Sequence, residues 1–283
     1  MKRLLLFCGL TCALLAGTPE FDRAQKLYNY TDFDGSLKVL QAIPAKTAEV
    51  YALIGRNYFM QGDYKRAGES LEKALAAEPG NSEYALWLAR AYGRRAETAS
   101  PFTAPGLASR ARQNFEKAVQ LNPGNLEALN DLCDYYIEAP GFLGGGIDKA
   151  EATAARIARI SPGEGYAARA RIAEKRKEYS AAEEQLHHAI DAAPQQIGRF
   201  IDLARFLNKQ GRYAEADQSI ARAEKLAPDS PRLVYLKADL YIKAGRNLAE
   251  ARALLQHYMS LSLTPDDPPR ADAARLLKKV QGS

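Results

Sequence analysis

Apolar residues recur at helical spacing through most of the chain, in runs that stop at short polar turns. In residues 48–81, AEVYALIGRNYFMQGDYKRAGESLEKALAAEPGN, two such runs are separated at Gln61-Gly62-Asp63, and the second ends at Pro79. This pattern predicts a helix-turn-helix hairpin. Gly55, Ala67 and Ala74 are small where the two helices must approach closely, and Tyr51, Ile54, Tyr58 and Leu71 supply the bulk between them.

The hairpin is one copy of a repeat. Prolines at 44, 79, 123, 162, 194, 228 and 265 are spaced 35, 44, 39, 32, 34 and 37 residues apart. An alanine column (Ala67, Ala111, Ala150, Ala182, Ala216, Ala251) advances by 44, 39, 32, 34 and 35. Two columns moving together define a unit of about 34 residues with insertions. The expected hairpins are 19–47 (short and degenerate), 48–81, 82–125, 126–162, 163–196, 197–230 and 231–264. Residues 266–281 are expected to form a capping helix. Asp267 suits its N-cap, Pro268 and Pro269 its first turn, and Leu276, Leu277 and Val280 one apolar face; Arg270, Lys278 and Lys279 suit the solvated side.

These units closely resemble the tetratricopeptide repeat. Unit 197–230 carries the pattern in Leu203, Ala204, Gly211, Tyr213, Ala216, Ala223 and Pro228, and the resemblance covers 19–264. It implies an all-α, right-handed superhelical solenoid of about seven hairpins plus the cap. It also implies that the first helix of each hairpin lines a concave groove that holds peptides or helices. At the ninth place of the repeat, which faces that groove in the family, stand Arg56, Arg90, Asp134, Arg171, Arg205 and Asp239. At the thirteenth stand Met60, Arg94, Glu138, Lys175, Lys209 and Lys243. Eight of these twelve are basic, against 39 of 283 over the chain. Phe59, Leu86, Ile137, Ile201, Tyr235 and Ile242 are the candidate apolar anchors. A basic groove with apolar anchors suits an acidic peptide or segment of another protein. A solvated polar face without a ligand is the competing reading, and Asp134 and Glu138 interrupt the stripe. The Lys/Asn clamp of the chaperone-binding members is not reproduced, so that partner is not carried over.

The same columns locate two insertions. From Gly55 to Ala67 is 12 residues, whereas Ala89 to Ala111 is 22 and Cys133 to Ala150 is 17. Ten extra residues therefore fall near 97–108 and five near 139–147, both expected in turns along one edge of the array. Phe102, Leu107, Phe142 and Leu143 become candidate neighbours on a composite binding rim; the alternative is that Pro and Gly only manage longer turns. Gly144-Gly145-Gly146 could offer a backbone nest to an anion, but it lacks the spacing and Lys-Ser/Thr ending of a phosphate loop. The link from Pro162 to Ala170 is two residues shorter than its counterparts, which predicts a change of superhelical path between 160 and 170.

Composition narrows the function further. The net charge is +5 and falls to +3 without Lys2 and Arg3, too mild to support nucleic-acid binding. Fifty alanines favour helix. Residues 1–17 read as a signal peptide, with Lys2 and Arg3 ahead of a 13-residue apolar run that is too short to span a membrane. Cys8 and Cys12 lack a small residue before them, so a lipid anchor and membrane attachment are not expected. The remaining Cys133 has no disulfide partner within the chain and stands on the small-residue column, which suits packing more than nucleophilic chemistry. His187 and His188 point about 100° apart on one helix and do not suit a metal. No metalloprotease, Cys-x-x-Cys or nucleophile-elbow motif occurs. The expectation is an exported, non-enzymatic interaction scaffold without cofactor or metal, in a periplasmic or extracellular setting. The alternative is an accessory binding protein for small-molecule uptake or envelope biogenesis that uses the rim at 97–108 and 139–147.

Overall fold

The computed structural model describes residues 18–280; the expected signal peptide lies outside the described residues. Within them are fifteen α-helices, one short 3-10 turn and no strand. The helices follow in pairs: α1 (Pro19–Asn29) and α2 (Phe33–Ala42), α3 (Ala48–Met60) and α4 (Tyr64–Ala77), α5 (Ser82–Thr98) and α6 (Ala104–Leu121), α7 (Leu126–Glu138) and α8 (Ile147–Ile160). Then come α9 (Pro162–Lys175) and α10 (Tyr179–Ala192), α11 (Ile197–Lys209) and α12 (Tyr213–Leu226), α13 (Pro231–Ala244) and α14 (Leu248–Ser260), and a final α15 (Arg270–Val280). The small-residue columns meet inside each pair: Ala67, Ala89, Ala111, Cys133, Ala150, Ala182, Ala204, Ala216, Ala238 and Ala251 are all fully buried.

Side chains start many of these helices. Thr18, Asp32, Thr47, Asp63, Asn81, Asn125 and Ser161 each accept a hydrogen bond from an amide in the first turn that follows, satisfying donors the helix itself leaves free.

The two insertions are built differently. That of the third hairpin is mostly helix, which corrects the expectation of a long turn at 97–108. Helix α5 has 17 residues and α6 has 18, against 13 and 14 in α3 and α4. Only residues 99–103 are left as a turn. Pro105 fits the first turn of α6, and the alanines that follow favour continuing it. The insertion at 139–146 remains irregular, with the 3-10 turn Gly141–Leu143 at its centre.

Between α8 and α9 the link is Ser161 alone. This sharp junction lies where one core cluster gives way to the next. Ala168 and Ile172 of α9 belong to a cluster reaching back to Ala24, whereas Ala170 and Ala173 belong to one extending to Leu240. A third cluster, from Ala238 to Leu276, seats α15.

The cap begins later than expected, at Arg270. Asp267 does not cap it; its carboxylate accepts from Thr264 N (2.9 Å) and Thr264 Oγ1 (3.0 Å), closing a turn. Pro268 and Pro269 precede the helix, and the Pro269 carbonyl takes the amides of Asp272 and Ala273. Leu276 and Val280 are buried. Arg270 does not solvate the end. Its guanidinium donates to Met259 O (3.4 Å), Leu261 O and Thr31 Oγ1 (2.7 Å). Thr31 lies between α1 and α2, so the last segment of the array touches its first hairpin. A cavity of about 360 Å³ lies at this junction, between 31–34 and 263–271.

Candidate partner-binding groove

The curvature that brings the ends together also encloses a central groove. A cavity of about 660 Å³ is lined on one side by Phe59, Trp87, Arg90, Arg94 and Tyr135. Across it stand Arg205, Arg232 and Tyr235, with residues 265–269 at its rim. First helices α3, α5 and α7 thus face α11 and α13 over one space.

Most of the cations expected in this groove are engaged. Arg90 Nε lies 2.5 Å from Asp131 and its Nη2 3.0 Å from Glu127. Arg171 pairs with Asp134 (2.7 Å), Lys175 with Glu138 (2.9 Å) and Lys209 with Glu174 (2.5 Å). Each of these pairs joins the first helices of successive hairpins. The partly exposed pairs are worth little individually in stability. Their geometric effect is a ladder that ties neighbouring repeats in register and neutralises the inner face. Burial opposes the charge on Arg90, yet Asp131 and Glu127 hold its pKa above the ordinary arginine value. Lys243 pairs within its own helix with Asp239 (2.7 Å). Arg94 meets Glu97 (2.8 Å) and donates to Tyr64 Oη (3.0 Å). Among the described residues, Arg205 and Arg232 form no ion pair.

Aromatic side chains give the groove its apolar character. Phe59 meets Trp87 edge-on at 5.3 Å, and Arg56 stacks on both Trp87 (4.8 Å) and Tyr28 (5.0 Å). Burial, with Asp272 and Asp239 nearby, raises the Tyr235 hydroxyl to about 12. Phe59 and Tyr235 therefore line the groove as expected, but Leu86, Ile137 and Ile201 do not. They are buried in the core. Trp87, Asp131 and Tyr135 take part in their place. Trp87 and Asp131 occupy the same place in successive repeats, one residue beyond the column chosen from the pattern. That single residue is a rotation of about 100°. The chain's only tryptophan was the available signal.

The rim residues do not line one cleft. Phe102 and Leu107 line a cleft with the 61–66 turn. The 141–144 segment instead lies by Arg112, well along α6, about 12 Å from the helix start at 1.5 Å per residue. Phe142 is exposed, and Tyr135 Oη donates to Leu143 O at 2.9 Å. The amides of Gly144, Gly145 and Gly146 donate to the carbonyls of Gly141, Pro140 and Tyr136. None is turned outward as an anion nest would need.

Cys133 is buried, its thiol directed at Ala150 O (3.6 Å), and burial raises its pKa to about 11. His187 and His188 are surface residues beside Glu183 (3.9 Å) and Glu184 (3.6 Å). Among the described residues, no three metal-ligating side chains are grouped to hold an ion, and no helix is long and apolar enough to cross a membrane.

A tetratricopeptide-repeat family model matches residues 58–96 and 173–240. These segments are tetratricopeptide repeats. No curated protein matches the sequence. Among solved structures, a tetratricopeptide-repeat protein from Parabacteroides merdae is 17% identical, with a TM-score of 0.58 over 93% of this chain and 97% of its own. A thermophilic tetratricopeptide-repeat protein from Thermus thermophilus is 20% identical, with a TM-score of 0.52 over 70% of this chain and 96% of its own. At these identities the likeness establishes the fold, an all-α repeat solenoid.

Proposed function

We propose that this protein is an exported interaction scaffold that holds a segment of a partner protein in its central groove. The observation that carries this reading is the cavity between Phe59, Trp87 and Tyr135 on one wall and Arg205, Arg232 and Tyr235 on the other. Rigid aromatic surfaces supply contact area, and the two arginines without carboxylate partners favour an acidic segment. Export rests on the charged start and apolar run of residues 1–17. The reading is one of binding without chemistry, supported by a buried Cys133 and by histidines on the open surface.

The test is affinity capture from an envelope extract, followed by binding measurements on the captured segment. Arg205→Glu and Tyr235→Ala should each weaken that segment by about tenfold, the scale of one lost anchor. Arg90 and Arg171 are unsuitable probes, because reversing them breaks the ladder between repeats. Undiminished binding to both variants, with helicity unchanged, would remove the groove from the proposal.

A further inference from the structure

Three cations without carboxylate partners, Lys65, Arg95 and Arg110, line one cleft at the edge of the array. The lengthened α5 and α6 project beyond the neighbouring α3–α4 turn and form a cleft of about 990 Å³ beside it. Lys65, Arg66, Arg95 and Arg110 line it, and Asp63 is its one lining carboxylate. Asp63 is already engaged: it accepts from the Arg66 amide at 3.0 Å and pairs with Arg66 Nε at 2.6 Å. Arg95 and Arg110 lie 5.7 and 5.6 Å from the Tyr92 ring centroid. Arg110 donates to Tyr92 Oη (3.4 Å), which in turn donates to Glu72, so that carboxylate is reached only through the tyrosine. Among the described residues, Lys65, Arg95 and Arg110 form no ion pair.

Beside these cations stands Phe102, 95% exposed. It is not on a loose loop. The amides of Thr103 and Ala104 both donate to Ser100 O, and the Ser100 and Thr103 hydroxyls share a 3.1 Å hydrogen bond. An exposed aromatic on a hydrogen-bonded turn, next to guanidinium groups without carboxylate partners, fits a ligand that is anionic and partly apolar. The mild net charge of the chain and the confinement of these cations to one cleft favour a protein segment over a nucleic-acid backbone.

We propose that this edge cleft is a second binding site, for an acidic stretch of a partner protein that sets an apolar side chain against Phe102 and Leu107. It is separate from the central groove, with which it shares no lining residue. The ten-residue insertion of the third hairpin has its use here: it builds one wall of the cleft and carries the phenylalanine.

The proposal is tested by fluorescence anisotropy on the whole protein, with a fluorescein-labelled glutamate peptide carrying a central pair of leucines. A matched peptide carries alanines instead. Saturable binding of the leucine peptide is expected. Lys65→Glu combined with Arg110→Glu, both at exposed positions, should weaken it by about tenfold or more. Phe102→Ala should abolish the preference for leucine over alanine, and Arg95→Gln should weaken both peptides. Lys225→Glu, at an exposed position outside both cavities, should change the affinity by no more than about twofold. Absence of saturable binding, or equal binding to the charge-reversed protein, overturns the proposal. Loss with Arg205→Glu alone would move the peptide to the groove and also overturn it. Tighter binding of an oligothymidylate, lost in the same charge-reversed variant, would replace the acidic protein with a nucleic acid.

Discussion

Lys177 stands in its hairpin where Gly62, Gly211 and Gly245 stand in three others, and it takes the same left-handed backbone, with φ of 64° against 81°, 76° and 64°. Glycine occupies that conformation freely, whereas a side chain pays about 1–2 kcal/mol in sterics. Part of that gain is offset by the greater freedom of glycine in the unfolded chain. Lys177→Gly is therefore expected to stabilise the protein by about 0.5–1 kcal/mol, seen as a higher urea midpoint at constant slope. A lower midpoint would mean that the lysine side chain contributes more than its backbone costs. The repeat register makes this position legible in sequence. The same register reached Phe59, Arg90, Arg94, Arg205 and Tyr235 in the groove but missed Trp87, because a helix turns about 100° per residue. Leu86 went to the core, and its neighbour Trp87 to the cavity.

At the scale of elements, the junction of α8 and α9 is the tightest in the described chain, with Ser161 as its only linking residue. Gly165 permits it: a Cβ there would lie 2.5 Å from Ala158 Cα, on the facing helix backbone. Backbone cannot move aside as a flexible side chain can, so Gly165→Ala is expected to cost about 1–3 kcal/mol. Gly198 in α11 is the matched control, because no atom lies within 4 Å of a Cβ built there. Alanine at that helical position should be neutral or stabilising by up to about 1 kcal/mol. Equal effects of the two substitutions on chemical denaturation would show that the junction is less tightly packed than its geometry requires. The short link itself was readable from the spacing of Pro162 and Ala170. The shape of the third hairpin's insertion was not, because a column spacing counts residues and is blind to whether they extend helices or a turn. Ala104, Ala108, Ala111 and Ala118 favour helix there, whereas Pro101 and Pro105 favour a turn, and the two signals oppose each other.

Curvature belongs to the whole molecule. Each repeat adds a small rotation to the one before, and the sum decides whether the ends of a solenoid meet. No local pattern encodes that sum, so the contact between Arg270 and Thr31, 239 residues apart, was invisible in the sequence. The contact changes what a local lesion should do. In an open array each repeat senses only its neighbours, and the first hairpin would be indifferent to the last segment. In the closed arrangement Arg270 holds the 261–270 strap and the first hairpin together through Met259 O, Leu261 O and Thr31 Oγ1. Arg270→Ala should accordingly accelerate amide exchange within α1 and α2, at the far end of the chain. Losing one hydrogen bond of a charged group from that junction corresponds to about 1 kcal/mol, or roughly fivefold in local opening. Thr31→Val should reproduce part of the effect on α1 and α2 while leaving α14 and α15 unchanged, since it removes only the bond that spans the ends. Exchange that accelerates in α14 and α15 but stays constant in α1 and α2 would mean that the array is open in solution. The central groove would then be a wider channel, with its rim at 265–269 displaced from the wall formed by Phe59 and Trp87.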